Sequence, residues 1–457
     1  MTALDQLPQR IAALAEKWNV PGVAVMVDVA GTTHSACHGI THIDHPLPVD
    51  EHTLFQVASN TKPFAATLVM ALIEEGRLSL DDPVRQHLPE FATPGNRLDN
   101  AVTVRQLLSH RVGWDGDELL VRPPAENSLA AAPAAMAEAR QLLEPDSQFT
   151  YSNAGYSIAG RLIETLEGEP FSACLERRIL QPLAMERSCT RADRAIFHRV
   201  AMRHLSLPGR KPIALPGGGW QRGWELGAID EPAAGLISSA HDLLQWLRFW
   251  LGRPSRSEGR PLSDAGRATM LEEQERYNPQ WGQAIGWALR YDTGARVYNH
   301  GGLTAGYCSF TLFVPELDLA GVILTNSTSG GALHSELSRW IIGQASGVSW
   351  QPPVPLAPVP DLKPYTGRYW SAFGWIEVRA LDDGRSLELA TERHPTQDGS
   401  WQPPPEEPLR LVLCHPHHAM IEEPEAIAGA LVDFDPAPQP KCAWLRAGGR
   451  IAVREST

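Results

Sequence analysis

Lysine is nearly missing from this chain. Lys17, Lys62, Lys211, Lys363 and Lys441 are the only ones among 40 Lys+Arg in 457 residues, so arginine supplies positive charge almost everywhere. No basic run offsets the formal net charge of −13. That excludes nucleic acid and anionic membrane surfaces as main partners, because both require clustered Lys and Arg. A small molecule or short peptide is the expected partner. The run of roughly eighteen apolar residues that a membrane-spanning helix needs is absent. Cysteines never stand in close pairs: Cys37, Cys174, Cys189, Cys308, Cys414 and Cys442 are scattered, without the spacing of zinc sites or redox motifs, and read as buried thiols in a reducing compartment. There is no G-x-S-x-G, no H-E-x-x-H and no phosphate loop ending in Gly-Lys, so the common hydrolase and nucleotide-binding readings lack their signatures.

Length alone predicts two or three domains. The opening stretch places Leu7, Ile11, Leu14 and Trp18 on one helical face, with Asp5, Arg10 and Glu16 interrupting it. This pattern predicts a packing helix, not an export signal, and with the cysteines it predicts a cytoplasmic protein. A β-branched hairpin turning at Ala30-Gly31 follows, then a helix over residues 64–75, then helical and loop segments to about residue 252. Within these, residues 207–227 are rich in Gly, Pro and Trp, a composition expected of a binding loop. Residues 286–292, 296–302, 307–316 and 319–326 read as successive antiparallel strands, closed by a helix over 331–345. Half of residues 351–360, "QPPVPLAPVP", are proline, which marks a semi-rigid spacer. Beyond it, alternating strands around Asp383-Gly384 predict a small antiparallel barrel or sandwich. The expected division is residues 1–348, a linker at 349–360, and a barrel at 361–457.

The scarcity of lysine makes Lys62 conspicuous. In "QVASNTKPFA" it lies three residues after Ser59, at the start of the predicted helix, with Pro63 biasing it away from helical geometry. Arginine cannot give up its proton; a desolvated lysine can. Ser59 thus has the makings of a nucleophile whose proton passes to Lys62, while the helix start favours the developing oxyanion. As a lone pattern, Ser-x-x-Lys is weak, since an N-cap serine and a surface lysine would give it too.

Two further stretches remove that ambiguity. "FTYSNAGYSIAG" contains Tyr151-Ser152-Asn153, and "YNHGGLTAGYCSF" contains His300-Gly301-Gly302 on a predicted strand. In this order and at these separations the three pieces resemble the serine β-lactamase and penicillin-binding-protein superfamily, in the branch of class C β-lactamases, D-aminopeptidases and related esterases. "LLSHRVGW", "QPLAME", "EPAAGLISSAHDLLQW" and "AGVILTN" extend the resemblance over about residues 8–345. It implies an α/β (α+β) fold, an antiparallel sheet flanked by helices plus a helical subdomain, with the site at their junction. The small C-terminal domain resembles the lipocalin-like barrels appended in some D-aminopeptidase-like members, where it can overhang the cleft.

Carried over to these positions, the resemblance implies Ser59 as acylated nucleophile, and Lys62 with Tyr151 as the shared general base. Asn153 orients Lys62 and substrate. His300 stands where many relatives keep a lysine and bonds to Tyr151 or substrate, and the backbone N–H groups of Ser59 and Leu303 form the oxyanion hole, with Gly301 and Gly302 letting substrate approach. No cofactor or metal is implied. Because histidine is largely uncharged near neutrality, a substrate without a carboxylate is expected to be preferred over a penicillin. A non-catalytic ligand-binding protein on the same fold is the rival, and the intact Ser59, Lys62 and Tyr151 count against it. Cys414, His415, His417 and His418 read as a solvated loop, His34, His38, His42 and His45 as an exposed strand face, and Tyr156 and Tyr298 as core or wall.

Overall fold

The computed structural model describes residues 3–115, 128–207, 210–215, 224, 226–253, 260–393, 407–436 and 441–455. Much of the Gly/Pro-rich stretch at 207–227 lies outside them. Trp224 is described, and its indole donates to the Tyr307 hydroxyl at 2.9 Å.

An eight-stranded antiparallel sheet organises the first part of the chain. Its order is Thr32–Gly39, Gly22–Val29, Leu319–Thr325, Tyr307–Val314, Val297–Thr304, Ala288–Arg290, Trp281–Gln283 and Glu275–Arg276. The two ends of this region therefore meet in one sheet, with Val23 opposite Thr325 and Val29 opposite Leu319. Gly22–Val29 is almost wholly apolar because both of its faces are covered. Val23, Val25 and Val27 pack with Leu7, Ile11 and Leu14 of the Leu7–Lys17 helix and Leu333, Leu337 and Ile341 of the Gly330–Ser346 helix. Ala24 and Met26 join the larger core around the Lys62–Glu74 and Ala240–Trp250 helices. Period-two alternation thus assigns one strand to two cores. The last two strands of the sheet are two and three residues long, too short to show an alternation, and sequence reading does not find them.

Lys62 departs from expectation. Its φ of −57° and ψ of −45° are helical although Pro63 follows. The 3₁₀ turn Ala58–Thr61 delivers the chain already wound, and three hydrogen bonds from the Lys62 ammonium offset the steric bias of X-Pro. Among the described residues no helix is long and apolar enough to cross a membrane.

The C-terminal strands, from Gly367–Ser371 to Arg450–Arg454, close into an eight-stranded antiparallel barrel, with Tyr369 opposite Arg454 and Trp370 opposite Val453 sealing it. Leu387, Leu389, Leu411, Val432, Phe434 and Leu445 fill it. The proline-rich stretch is not a free spacer: Leu356 donates its N–H to Leu413 in the barrel at 2.8 Å, and Trp350 sits against the Arg339 guanidinium, 3.6 Å away. His418 of the "CHPHH" run turns inward to the Asp433 carboxylate at 3.0 Å.

Candidate active site

Ser59 lies in the Ala58–Thr61 turn, which is held at three places. The Asn60 amide donates to Ser309 Oγ at 2.7 Å and accepts from Thr311 Oγ1 at 2.5 Å, anchoring the turn to the central sheet. Ser309 Oγ in turn donates to the Val57 carbonyl at 2.6 Å. Ala58 takes a φ of +49°, a left-handed conformation unusual for alanine. Backbone strain of this kind is maintained only when the surroundings over-determine it, as this network does.

Lys62 is completely buried. Its Nζ donates to Ser59 Oγ at 3.0 Å, Asn153 Oδ1 at 2.7 Å and the Ala233 carbonyl at 2.9 Å, and lies 4.8 Å from the Tyr151 ring centroid and 5.6 Å from that of Tyr156. Ser59, Lys62, Tyr151 and Asn153 are therefore brought together across 94 positions of sequence by two helix starts, Lys62–Glu74 and Asn153–Glu167. Ser152 caps the second, its Oγ accepting from Gly155 N–H at 3.1 Å and from the Trp114 indole at 3.0 Å. The wall residue Tyr156 donates its hydroxyl to the Leu108 carbonyl at 2.9 Å. Tyr298, away from Lys62, stacks on Phe313 in the core.

His300, Gly301, Gly302 and Leu303 follow one another on the strand Val297–Thr304. His300 is buried, its ring centroid 6.4 Å from that of Tyr151, and its Nδ1 pairs with the Gly301 carbonyl at 2.7 Å. The expected choice between Tyr151 and substrate thus has a third answer for Nδ1, a backbone partner. Burial, and then the charge of Lys62, push its pKa down to about 3, so it is neutral throughout the physiological range. A Cβ at Gly302 would come within 2.1 Å of the Val57 carbonyl and 2.3 Å of Ser309 Oγ, whereas one at Gly301 would meet only Phe310, at 3.9 Å. Gly302 is what lets the strand pack against the turn carrying Ser59. Leu303, beyond it, is 70% exposed.

Sequence reading expects the barrel to overhang the cleft but not to hold the Tyr151 segment. Tyr151 donates its N–H to the Gly449 carbonyl at 2.9 Å, and Ile451 donates to Thr150 Oγ1 at 3.2 Å. The Arg450 guanidinium lies 4.7 Å from the Tyr151 ring centroid and 5.1 Å from that of Phe373. Buried Arg446 donates to the Phe149 carbonyl at 3.1 Å and to Asp433 at 3.0 Å, while Asp433 also accepts from the Asn278 amide. His110 was missed too, although "LLSHRVGW" contains it: its imidazole stacks on Tyr151 with centroids 4.4 Å apart. A separate cavity of about 590 Å³ lies between residues 172–181 and 185–198 and contains none of these groups.

The family model described as Beta-lactamase matches residues 7–345. Penicillin-binding protein 4 of Amycolatopsis lactamdurans is 32% identical over 372 residues, covering 79% of this chain and 96% of that protein. The crystal structure of SurE aligns over 99% of both chains, with a TM-score of 0.73 and 25% identity, and SurE has also been solved with D-Leu. D-amino acid amidase from Ochrobactrum anthropi SV3 shares the fold at a TM-score of 0.58 and 23% identity, over 70% of this chain and 91% of its own.

Proposed function

The chain belongs to the β-lactamase family, and from that premise we propose that it is a serine hydrolase forming an acyl-enzyme on Ser59. The observation that carries the reading is the 3.0 Å contact of the buried Lys62 ammonium with Ser59 Oγ. In the proposed reaction Ser59 Oγ attacks a carbonyl carbon while its proton passes to the Lys62–Tyr151 pair in its deprotonated form. The same proton then protonates the leaving group as the tetrahedral intermediate collapses to an ester on Ser59. Water attacks that ester, gives its proton to the pair, and releases the acid as Ser59 regains a proton. Asn153 holds Lys62 in register through its side-chain oxygen, and the backbone N–H groups of Ser59 and Leu303 receive the oxyanion.

The proposed substrates are small esters, amides or D-amino-acid-containing peptides. A bound D-Leu in a relative that aligns over nearly its full length supports the last of these. Acylation by a penicillin is the second reading, favoured by the relative named a penicillin-binding protein. Neutral His300 disfavours it, because it offers a substrate carboxylate no permanent charge. Arg450, beside Tyr151, offers one from the barrel. Intact-mass spectrometry after a fluorophosphonate, a p-nitrophenyl ester or a penicillin tests the reading: a single adduct is expected, absent from Ser59→Ala. An adduct that persists in that variant would remove Ser59 from the reaction.

A further inference from the structure

His110 is an expensive residue for the place it occupies. Its φ of +58° lies in the left-handed region, and it is 1% exposed. Its carbonyl accepts the Thr150 N–H at 2.9 Å and its Nδ1 accepts the Ser152 N–H at 3.0 Å, so one residue grips the chain on both sides of Tyr151. A ring nitrogen that accepts carries no proton, which puts the proton on Nε2. There the buried Nε2–H meets no hydrogen-bond partner among the described residues.

Grip alone does not require histidine. Asparagine tolerates left-handed backbone, and its side-chain oxygen can accept the same bond without leaving an orphaned ring N–H. Asparagine cannot stack. The His110 ring lies against Tyr151 at 4.4 Å with 27° between planes, contacts Tyr156 at 5.2 Å, and is braced edge-on by Phe149 at 5.7 Å.

We propose that His110 is a positioning residue for the reaction, holding the Tyr151 ring beside Lys62 by stacking as a neutral imidazole with its proton on Nε2. The inference rests on the reading of Tyr151 as part of the proton-transfer pair. Protonation would set a second N–H against the Ser152 N–H and add a cation facing Lys62, His300 and Arg450. Burial first, and then the nearby charge of Lys62, hold His110 well below the ordinary histidine range.

The test is His110→Asn, assayed with a p-nitrophenyl ester. A misplaced ring should lower kcat about 10²-fold while KM stays within about threefold, with kcat referred to folded protein by thermal unfolding and circular dichroism, because a smaller folded fraction would also lower apparent kcat at constant KM. His110→Gly is the second variant, since glycine adopts left-handed backbone without strain, and added imidazole should restore its kcat by about tenfold or more. Turnover by His110→Asn within about threefold of the unmodified protein, or a His110→Gly enzyme indifferent to imidazole, would overturn the proposal. Fluorophosphonate labelling separates the two levels. An unmodified protein that takes no label at Ser59 fails as a serine hydrolase, and His110 fails with it. A labelled protein whose His110 variants turn over normally loses only the role given to His110.

Discussion

An arginine at position 62 would keep the charge and lose the chemistry. Lys62 is the one lysine of five that is completely buried, and its ammonium is shared among a hydroxyl, an amide oxygen and a peptide carbonyl at 2.7–3.0 Å. None of these three partners is a carboxylate. In the proposed reaction the neutral amine is the form that accepts a proton from Ser59. Guanidinium cannot reach that form, and its planar fork does not fit three partners arranged around a point. Lys62→Arg should therefore lose the 10²–10⁴-fold or so that acid–base assistance contributes, with kcat/KM for a p-nitrophenyl ester as the measurement and thermal unfolding to confirm a folded protein. Near-normal turnover would mean that positive charge alone suffices. His300 adds no positive charge beside Lys62, because burial keeps it neutral.

On the strand Val297–Thr304 neighbouring residues are asked for different things. His300 and Gly302 point toward the turn carrying Ser59, while Gly301 and Leu303 point outward. A methyl group at Gly302 has to displace the Val57 carbonyl or the Ser309 hydroxyl, both already committed to holding Ser59's turn. Overpacking of this kind costs about 1–3 kcal/mol. Gly302→Ala should lower both the melting temperature and Ser59 labelling, and Gly301→Ala should leave the melting temperature unchanged; equal tolerance at the two sites would refute the assignment of the close approach to Gly302. Much at this scale was legible in the sequence. The long strands and helices follow from β-branched runs, turn residues and helix propensity, and the three site motifs are short and local, lying on a helix start, a helix N-terminus and a strand. What escaped reading is non-local or conformational. His110 is an ordinary letter in "LLSHRVGW" until its left-handed φ turns the ring onto Tyr151, and the strands Glu275–Arg276 and Trp281–Gln283 are two or three residues that become strands only by pairing onto Ala288–Arg290 at the sheet's end.

For the molecule as a whole, the barrel is the element whose role the sequence least foretold. Truncation near Ser349 would remove the carbonyl that receives the Tyr151 N–H, the buried Arg446 that holds Phe149, and the partner of Asn278. Any effect of removing the barrel from over the cleft is then inseparable from damage to the Tyr151 segment, so a point change is the sharper probe. Arg450 stands on the last barrel strand, yet its guanidinium lies over the tyrosine of the second site motif. If the barrel supplies the permanent cation that neutral His300 does not, substrates with a carboxylate should depend on Arg450 more than those without. Hydrogen bonds to charged groups are worth roughly 1.5–3 kcal/mol, or about 10- to 100-fold. The ratio of kcat/KM for a carboxylate-bearing ester to that for its methyl ester should therefore fall by about that factor in Arg450→Gln. Equal losses on both esters would instead assign Arg450 to holding Tyr151, and would leave the expectation of a carboxylate-free substrate standing.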